Sequence, residues 1–486
     1  MDSLRSVLFV LSRVLIGFAL AFLMPLAWAL ALDEPFEVRV WATGFALTAS
    51  AGWVLGHALR GWRRELQPRD GFLLVSLVWV VLPACATVPL MYTVPDISWG
   101  HAYFEAMSAL TATGATALSG LDSLPVSVNI WRCFLQFVGG LGIILLVVAV
   151  LPLLGLGGMQ LYRAETPGPM KDDKLTPRIA ETARGLWAVY FALSALCLVA
   201  YRWAGMSWPD AFMHMCTTMG LGGFSSHDAS FGHWNSPAIE GVAILFMALS
   251  GISFARYFIA WRNRSTRTLA RDAEVRAYLT TLVAAVAGIT VLLVDHGTYP
   301  DHAQALRAAA FQVVSLATTT GYASTDYAQW PVAVPVLLIL LGCFASCAGS
   351  TGGGIKMVRM LLLVKQARRE LVRIVHPRVV NPVTLGGATV SAQVMAAVLG
   401  FMLIYGASIV GLTLVLLLSG MDLITAFSAV IVCVNNIGPG LGQVGPASNF
   451  GALGDFQLWV LSAGMLLGRL ELLSVLVLFT AQFWRK

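Results

Sequence analysis

Thr111-Ala112-Thr113-Gly114, Gly220-Leu221-Gly222-Gly223, Thr318-Thr319-Thr320-Gly321 and Asn435-Asn436-Ile437-Gly438 are four short strips, each entered from a short helix-like stretch and set between two long apolar runs. In the first three a phenylalanine stands ten residues before a glycine: Phe104 before Gly114, Phe212 before Gly222, Phe311 before Gly321. Phe427 precedes Gly438 by eleven. This spacing selects Gly222, rather than Gly220, as the key glycine of the second strip. Four copies of one unit in one polypeptide can surround one axis. Glycine-rich backbone around an axis can replace the water shell of a bare cation, so the repeat reads as an ion pathway.

The runs flanking the strips set the fold class. Of the 486 residues, 58% are hydrophobic and 12% charged, against about a quarter charged in a soluble domain. Apolar runs of about 20 residues, enough to cross roughly 30 Å of hydrocarbon, recur along the whole chain. The expectation is an all-α polytopic membrane protein with about ten spans and four re-entrant short helices. Two spans, 8–32 and 38–60, come first and carry no strip. Ala27-Trp28-Ala29 matches a signal-cleavage pattern, but the apolar stretch before it is too long for a signal and a second span follows closely. Both therefore read as retained helices.

Each of the four units then reads as long helix, short helix, strip, long helix. Unit one is 71–93, 100–111, strip, 128–151; unit two is 184–204, 208–219, strip, 236–260. Unit three is 276–295, 301–317, strip, 332–370; unit four is 390–419, 422–434, strip, 456–484. The domain boundaries expected are 1–69 for the leading pair, then 70–182, 183–274, 275–385 and 386–486 for the repeats. The short helices are too short to span. Trp208-Pro209-Asp210 and Pro300-Asp301 carry helix-start chemistry. If such helices enter from outside, their C-termini bring partial negative charge to the membrane centre, where a cation gains.

Charge placement gives the orientation. Arg60, Arg63, Arg64 and Arg69 follow span two, and Arg163, Lys171, Lys174, Arg178 and Arg184 fill the next long connection. Arginines recur from Arg256 to Arg276, and basic residues from Lys356 to Arg378. Arg39, Arg132, Arg202 and Arg307 are nearly all that the other loops carry. By the positive-inside rule the basic loops and both termini are cytoplasmic and the strips lie toward the outside. Nucleic-acid binding is disfavoured, because the basic segments alternate with membrane crossings. Asp96, Glu105, Asp122, Asp210, Asp228, Asp295, Asp301, Asp326, Asp422 and Asp455 fall on the strip side, where an acidic vestibule concentrates cations.

Two features stand apart. Gly349, Ser350, Thr351, Gly352, Gly353 and Gly354, followed by Lys356, interrupt the second helix of unit three. Each glycine costs about 1 kcal/mol in a helix relative to alanine, so a break below the strips is expected; close helix packing by small residues is the alternative. The order of residues is not that of a phosphate-binding loop. Arg469 lies within an apolar helix, where a charge is tolerated against a wet cavity or a partner. It is expected to face the cavity under the strips and to contact the 349–354 segment, with Glu471 nearby. Cys343 and Cys347 have helical spacing but no histidine or carboxylate beside them, so the seven cysteines read as buried small hydrophobes. His227-Asp228 reads as a pore-mouth loop pair, since no nucleophile or oxyanion site accompanies it.

Gly222-Gly223-Phe224-Ser225-Ser226-His227-Asp228, Asn435-Asn436-Ile437-Gly438-Pro439-Gly440-Leu441-Gly442 and Gly349-Ser350-Thr351-Gly352-Gly353-Gly354-Ile355-Lys356, with the four repeats, the leading pair and Arg469, are similar to the signatures of the Trk potassium-uptake subunits of bacteria (TrkH, TrkG and TrkI type). The resemblance implies a K⁺-translocating, non-enzymatic protein of the bacterial inner membrane. It also implies a homodimer that works with a cytosolic nucleotide-binding ring of TrkA type and has no cofactor of its own. It puts the filter at Ala112, Thr113 and Gly114; Gly220, Leu221 and Gly222; Thr319, Thr320 and Gly321; and Asn436, Ile437 and Gly438. It puts the gate at the 349–354 segment, Lys356 and Arg469. A Na⁺-permeable relative of the same fold is the alternative.

Overall fold

A computed structural model of the chain describes residues 2–62, 67–149 and 179–485. Arg63, Arg64, Arg163, Lys171, Lys174, Arg178 and Lys486 lie outside the described residues. The four short helices are Trp99–Leu110, Trp208–Gly220, His302–Ala317 and Leu423–Val434, of 12, 13, 16 and 12 residues. At 1.5 Å per residue the longest covers about 24 Å, short of the roughly 30 Å of hydrocarbon. Each starts the same way. The side chains of Ser98, Ser207, Asp301 and Asp422 accept from the first-turn N–H groups of His101, Asp210, Ala303 and Thr425, an N-cap worth about 1 kcal/mol apiece.

Around them stand the long helices. Asp2–Ala19 runs through Leu20–Phe22 into Leu23–Ala31, and Pro35–Ala58 returns beside it. Among the described residues five helices are long and apolar enough to cross a membrane, and up to seven do so if two bent pairs each count as one. The protein is a multi-pass membrane protein, and its burial is arranged accordingly. Val283 and Leu403, on outer helices, are 70% and 75% exposed, whereas Thr111, Thr217, Thr318 and Asn435, at the centre, are fully buried. The leading pair is fastened to unit one. Glu34 accepts from the N–H groups of Val126 and Ser127, at the start of helix Val126–Ala149. Trp41 donates to Ser127 at 3.1 Å and packs on Trp131.

Two second helices depart from the sequence reading. The stretch 236–260, expected as one helix, is Pro237–Ser250 and Phe254–Arg262 at 83° to each other. The turn is held from outside: Phe254 N donates to Gly349 O and Cys347 N to Gly251 O. The stretch 456–484 also breaks, with Asp455–Arg469 bent by 107° from Leu473–Phe479. Here Glu471 and Leu472 both have positive φ, 57° and 46°, which costs a non-glycine residue energy. No glycine or proline occupies the turn itself, so local sequence does not announce it. The third second helix stops at Phe344 and resumes at Met357, so the 349–354 segment is not helical. A small antiparallel hairpin pairs Thr384–Leu385 with Ala388–Thr389 across Gly386 and Gly387, both at positive φ.

Candidate functional site

Every short helix ends by one device. The N–H groups of Thr113, Gly222, Thr320 and Ile437 reach back five residues to the carbonyls of Ser108, Thr217, Ser315 and Val432, at 2.8–2.9 Å. Those of Ala112, Leu221, Thr319 and Asn436 reach back three, to Ala109, Thr218, Leu316 and Cys433. This pair of bonds is the Schellman motif, whose left-handed residue is usually glycine. Here it is Ala112, Leu221, Thr319 and Asn436, at φ of 50°, 51°, 63° and 53°. A left-handed L-residue costs about 1–2 kcal/mol, and the surrounding packing must offset it four times. Two residues on, Gly114, Gly223, Gly321 and Gly438 have φ of 83°, 76°, 87° and 105°.

This pattern aligns the strips residue by residue and corrects the second. Its equivalent triplet is Leu221-Gly222-Gly223, one residue later than Gly220-Leu221-Gly222. Gly220 ends its helix, at the position of Thr111, Thr318 and Asn435. The phenylalanine spacing misled because it tracks packing. Phe104 and Phe311 are fully buried equivalents, but Met213 and Ser428 occupy the matching positions, with Phe212 and Phe427 one residue earlier. Phe427 is 48% exposed.

The strips form a closed ring. A Cβ on Gly114 would overlap the carbonyl oxygen of Gly222; on Gly223, that of Thr320; on Gly321, that of Ile437. A Cβ on Gly438 would stand 3.0 Å from the carbonyl oxygen of Thr113. The order one, two, three, four, one brings the middle carbonyl of each strip against the glycine of the preceding strip. Glycine is required there twice over, for its φ and for the close approach.

Behind the ring the supports differ. The Thr111 and Thr113 hydroxyls pair at 2.7 Å, and so do those of Thr318 and Thr320. Asn436 Nδ2 donates to Thr113 Oγ1 at 2.9 Å, joining strip four to strip one. Gly222 has no side chain, and Gln136 takes that space. Its Nε2 donates to Gly222 O at 2.8 Å and its Oε1 accepts from Phe224 N at 3.1 Å. Sequence reading passed over Gln136, whose only signal is a buried amide in an apolar helix. Glu105 and Arg132 were expected on a vestibule wall and in a loop, and both are buried. Glu105 accepts from Arg132 Nε at 2.8 Å and from Ala117 N at 2.8 Å, while Arg132 donates to Ser225 O at 3.2 Å. The pair thus ties the chain leaving strip one to that leaving strip two.

The 349–354 segment packs against the ends of the short helices. Thr351 Oγ1 donates to Met219 O at 3.0 Å, and Gly353 N to Thr319 Oγ1 at 2.8 Å. A Cβ on Gly352 would lie 2.9 Å from Thr318 O, and one on Gly353 would overlap Asn435 O. Ser350 Oγ donates to Cys347 O, Gly349 O accepts from Phe254 N, and Gly354 has φ 80°. Lys356, at φ 76°, is buried and donates to Gly352 O. Arg469, 3% exposed, donates to Thr351 O at 2.9 Å and to Gly139 O at 3.1 Å. Segment and arginine together touch all four units. Glu471 pairs with Arg359 at 2.8 Å, not with Arg469.

On the opposite side of the ring is a cavity of about 80 Å³, lined by Gly114, Gly223, Gly321 and Pro439 together with Arg132, His227, Asp228 and Asn449. Of the acids expected to form a vestibule, Asp301, Asp326 and Asp422 instead cap helical turns. Asp122, Asp210 and Asp228 cluster at His227, whose Nδ1 touches Asp122 and whose Nε2 stands 3.5 Å from Asp210. Burial alone would depress the His227 pKa, but Asp210 and Asp122 together raise it above the ordinary value. Burial would raise that of Asp122; the hydrogen bonds from His227 and Asp228 N and the nearby histidines outweigh it, so its pKa is lowered.

Comparison with known proteins places this geometry. Residues 38–486 match the family model TrkH, described as a cation transport protein. The chain is 44% identical over 484 residues to the Trk system potassium uptake protein TrkH of Vibrio parahaemolyticus, covering 99% of each. It is 43% identical over 449 residues to the protein of that name from Escherichia coli, covering 92% of each. The crystal structure of the potassium transporter TrkH from Vibrio parahaemolyticus superposes with a TM-score of 0.91 at 41% identity, covering 99% of this chain and 100% of that one.

Proposed function

The chain belongs to the TrkH family of cation transport proteins, and from that premise we propose that it takes up potassium ions through the ring of four strips. The observation that carries the reading is the closed contact order of the ring, each middle carbonyl against the glycine of the preceding strip. Oxygen atoms held by neighbouring backbone cannot retreat, so they stand in for a cation's water at little cost of reorganisation. The filter residues are Ala112, Thr113, Gly114; Leu221, Gly222, Gly223; Thr319, Thr320, Gly321; and Asn436, Ile437, Gly438. The C-termini of four short helices add partial negative charge beneath them. Inward flux is driven by the membrane potential, about 2.3 kcal/mol per charge per 100 mV.

The gate is the 349–354 segment with Lys356 and Arg469. Thr351 Oγ1 occupies the Met219 carbonyl at a helix end, Gly353 N the Thr319 hydroxyl, and Arg469 the carbonyls of Thr351 and Gly139, and the positive charges repel a cation leaving the strips. Opening requires the segment to withdraw. Exposed Lys365, Arg368, Arg373 and Arg378 follow it on or just after helix Met357–Val375. They offer a basic cytoplasmic surface through which a nucleotide-binding regulatory subunit can pull on the segment. The working unit is a homodimer in the bacterial inner membrane with both termini cytoplasmic.

The test is growth of a bacterium lacking its own K⁺ uptake, at low K⁺, with this chain expressed with and without the regulatory subunit. Growth is the expected result. Failure in both conditions, with the protein present in the membrane, overturns uptake. Reversal potentials in opposed K⁺ and Na⁺ gradients distinguish a K⁺ pathway from a Na⁺-permeable one.

A further inference from the structure

His227 and His233 stand at the mouth of the ring with Asp122, and neither the filter nor the gate uses them. Among the described residues these three alone form a group of metal-type ligands, their donor atoms all within 4.8 Å of one another. His227 Nδ1 touches Asp122 Oδ1, and His233 Nδ1 is 4.0 Å from that oxygen. A tetrahedral zinc ion bound at about 2.0–2.1 Å holds its ligand atoms about 3.3 Å apart, so side-chain movements below about 2 Å suffice. The rings now stack flat, with centroids 3.6 Å apart and planes 6° from parallel; one of them must turn to share an ion. The His233 side chain is 44% exposed, so its ring is the one with room to turn.

The surroundings are those of a ligand set. A metal-bound histidine commonly has its second nitrogen against a carboxylate, and Asp210 stands 3.5 Å from His227 Nε2. The other oxygen of Asp122 accepts from Asp228 N at 3.1 Å, which fixes the carboxylate. Imidazole nitrogen with carboxylate favours Zn²⁺ and similar transition-metal dications over Mg²⁺ or Ca²⁺, which take oxygen alone.

We propose that Asp122, His227 and His233 bind a zinc-class dication from the outer side, and that its charge at the mouth blocks cation entry. The ring's cavity includes His227 and Asp228, so a double charge there repels a monovalent ion at close range. The block rests on the pathway reading; the binding does not.

Two measurements on the full-length protein separate them. Titration of ZnCl₂ into the purified chain in detergent should show a site of one ion per chain. His233→Ala and Asp122→Asn should each weaken it by about 100-fold, and Asp210→Asn by about tenfold; MgCl₂ should not compete. Absence of that site, or unchanged affinity in both His233→Ala and Asp122→Asn, overturns the proposal. In proteoliposomes, zinc on the outer face should reduce Rb⁺ uptake about tenfold at saturation, and His233→Ala should relieve the inhibition without changing zinc-free uptake. Binding with undiminished uptake overturns the block. If zinc-free vesicles take up no Rb⁺ either with or without the regulatory subunit, the pathway reading fails and the titration alone decides the site.

Discussion

Strips one and three, against strip two, show two ways of holding the same backbone. In the first pair a threonine on the strip hydrogen-bonds to the threonine two residues before it, at 2.7 Å in each, so the support is local. In strip two the corresponding residue is Gly222, and its support is imported: Gln136 crosses from unit one to hold Gly222 O and Phe224 N. What the units share is the backbone, a Schellman end followed by a positive-φ glycine. What differs is how the space behind it is filled. A carbonyl ring needs fourfold agreement only in what faces the axis, so the outside of each strip is free to vary.

The largest effect that can test this comparison comes from the glycines. Gly223→Ala should abolish Rb⁺ uptake, because its Cβ overlaps Thr320 O at a positive φ. Gly438→Ala, with 3.0 Å of room, should retain more uptake than Gly223→Ala. If Gly223→Ala transports normally, the corrected register of strip two is wrong. Next, Phe104→Ala should cost about 3–5 kcal/mol of stability, seen as a large fall in detergent melting temperature, since Phe104 is fully buried.

Gln136→Leu leaves a buried carbonyl and N–H in strip two without their partner, at a cost of about 1–3 kcal/mol each. It should lower the K⁺ over Na⁺ preference in reversal-potential measurements more than Thr111→Val, which removes one hydroxyl from strip one. Equal effects would mean that the imported support is not special. Arg469→Ala, which frees Thr351 O and Gly139 O, should raise uptake in the absence of the regulatory subunit by several-fold; unchanged uptake and ion preference would remove Arg469 from the gate. The smallest effect is expected at Phe427→Leu, within about 1 kcal/mol, because that side chain is 48% exposed at the apolar surface.

The helix–strip–helix plan was legible because it is written in composition. Apolar runs long enough to span a bilayer announce themselves, and so do the glycines that interrupt them. The interruption at 349–354 was legible for the same reason. The bends after Ser250 and Arg469 were not. The first is held by hydrogen bonds to unit three, and the second carries positive φ at Glu471 and Leu472, beside the Glu471–Arg359 pair. Glu105 and Arg132 read as loop charges because nothing local tells a carboxylate that its arginine lies 27 residues away in a buried position.

The sequence by itself determined that this is a membrane protein with four related units, each ending a short helix in a glycine-bearing strip, because hydropathy and glycine content act locally. Only the tertiary structure decided which glycine of the second strip joins the ring, since a recurring phenylalanine reports packing and not backbone register. It alone brought Gln136 into the place of a missing side chain and set Arg469 against Thr351 and Gly139. Those contacts join residues far apart in the chain, and long-range juxtaposition leaves no periodic trace in a single sequence.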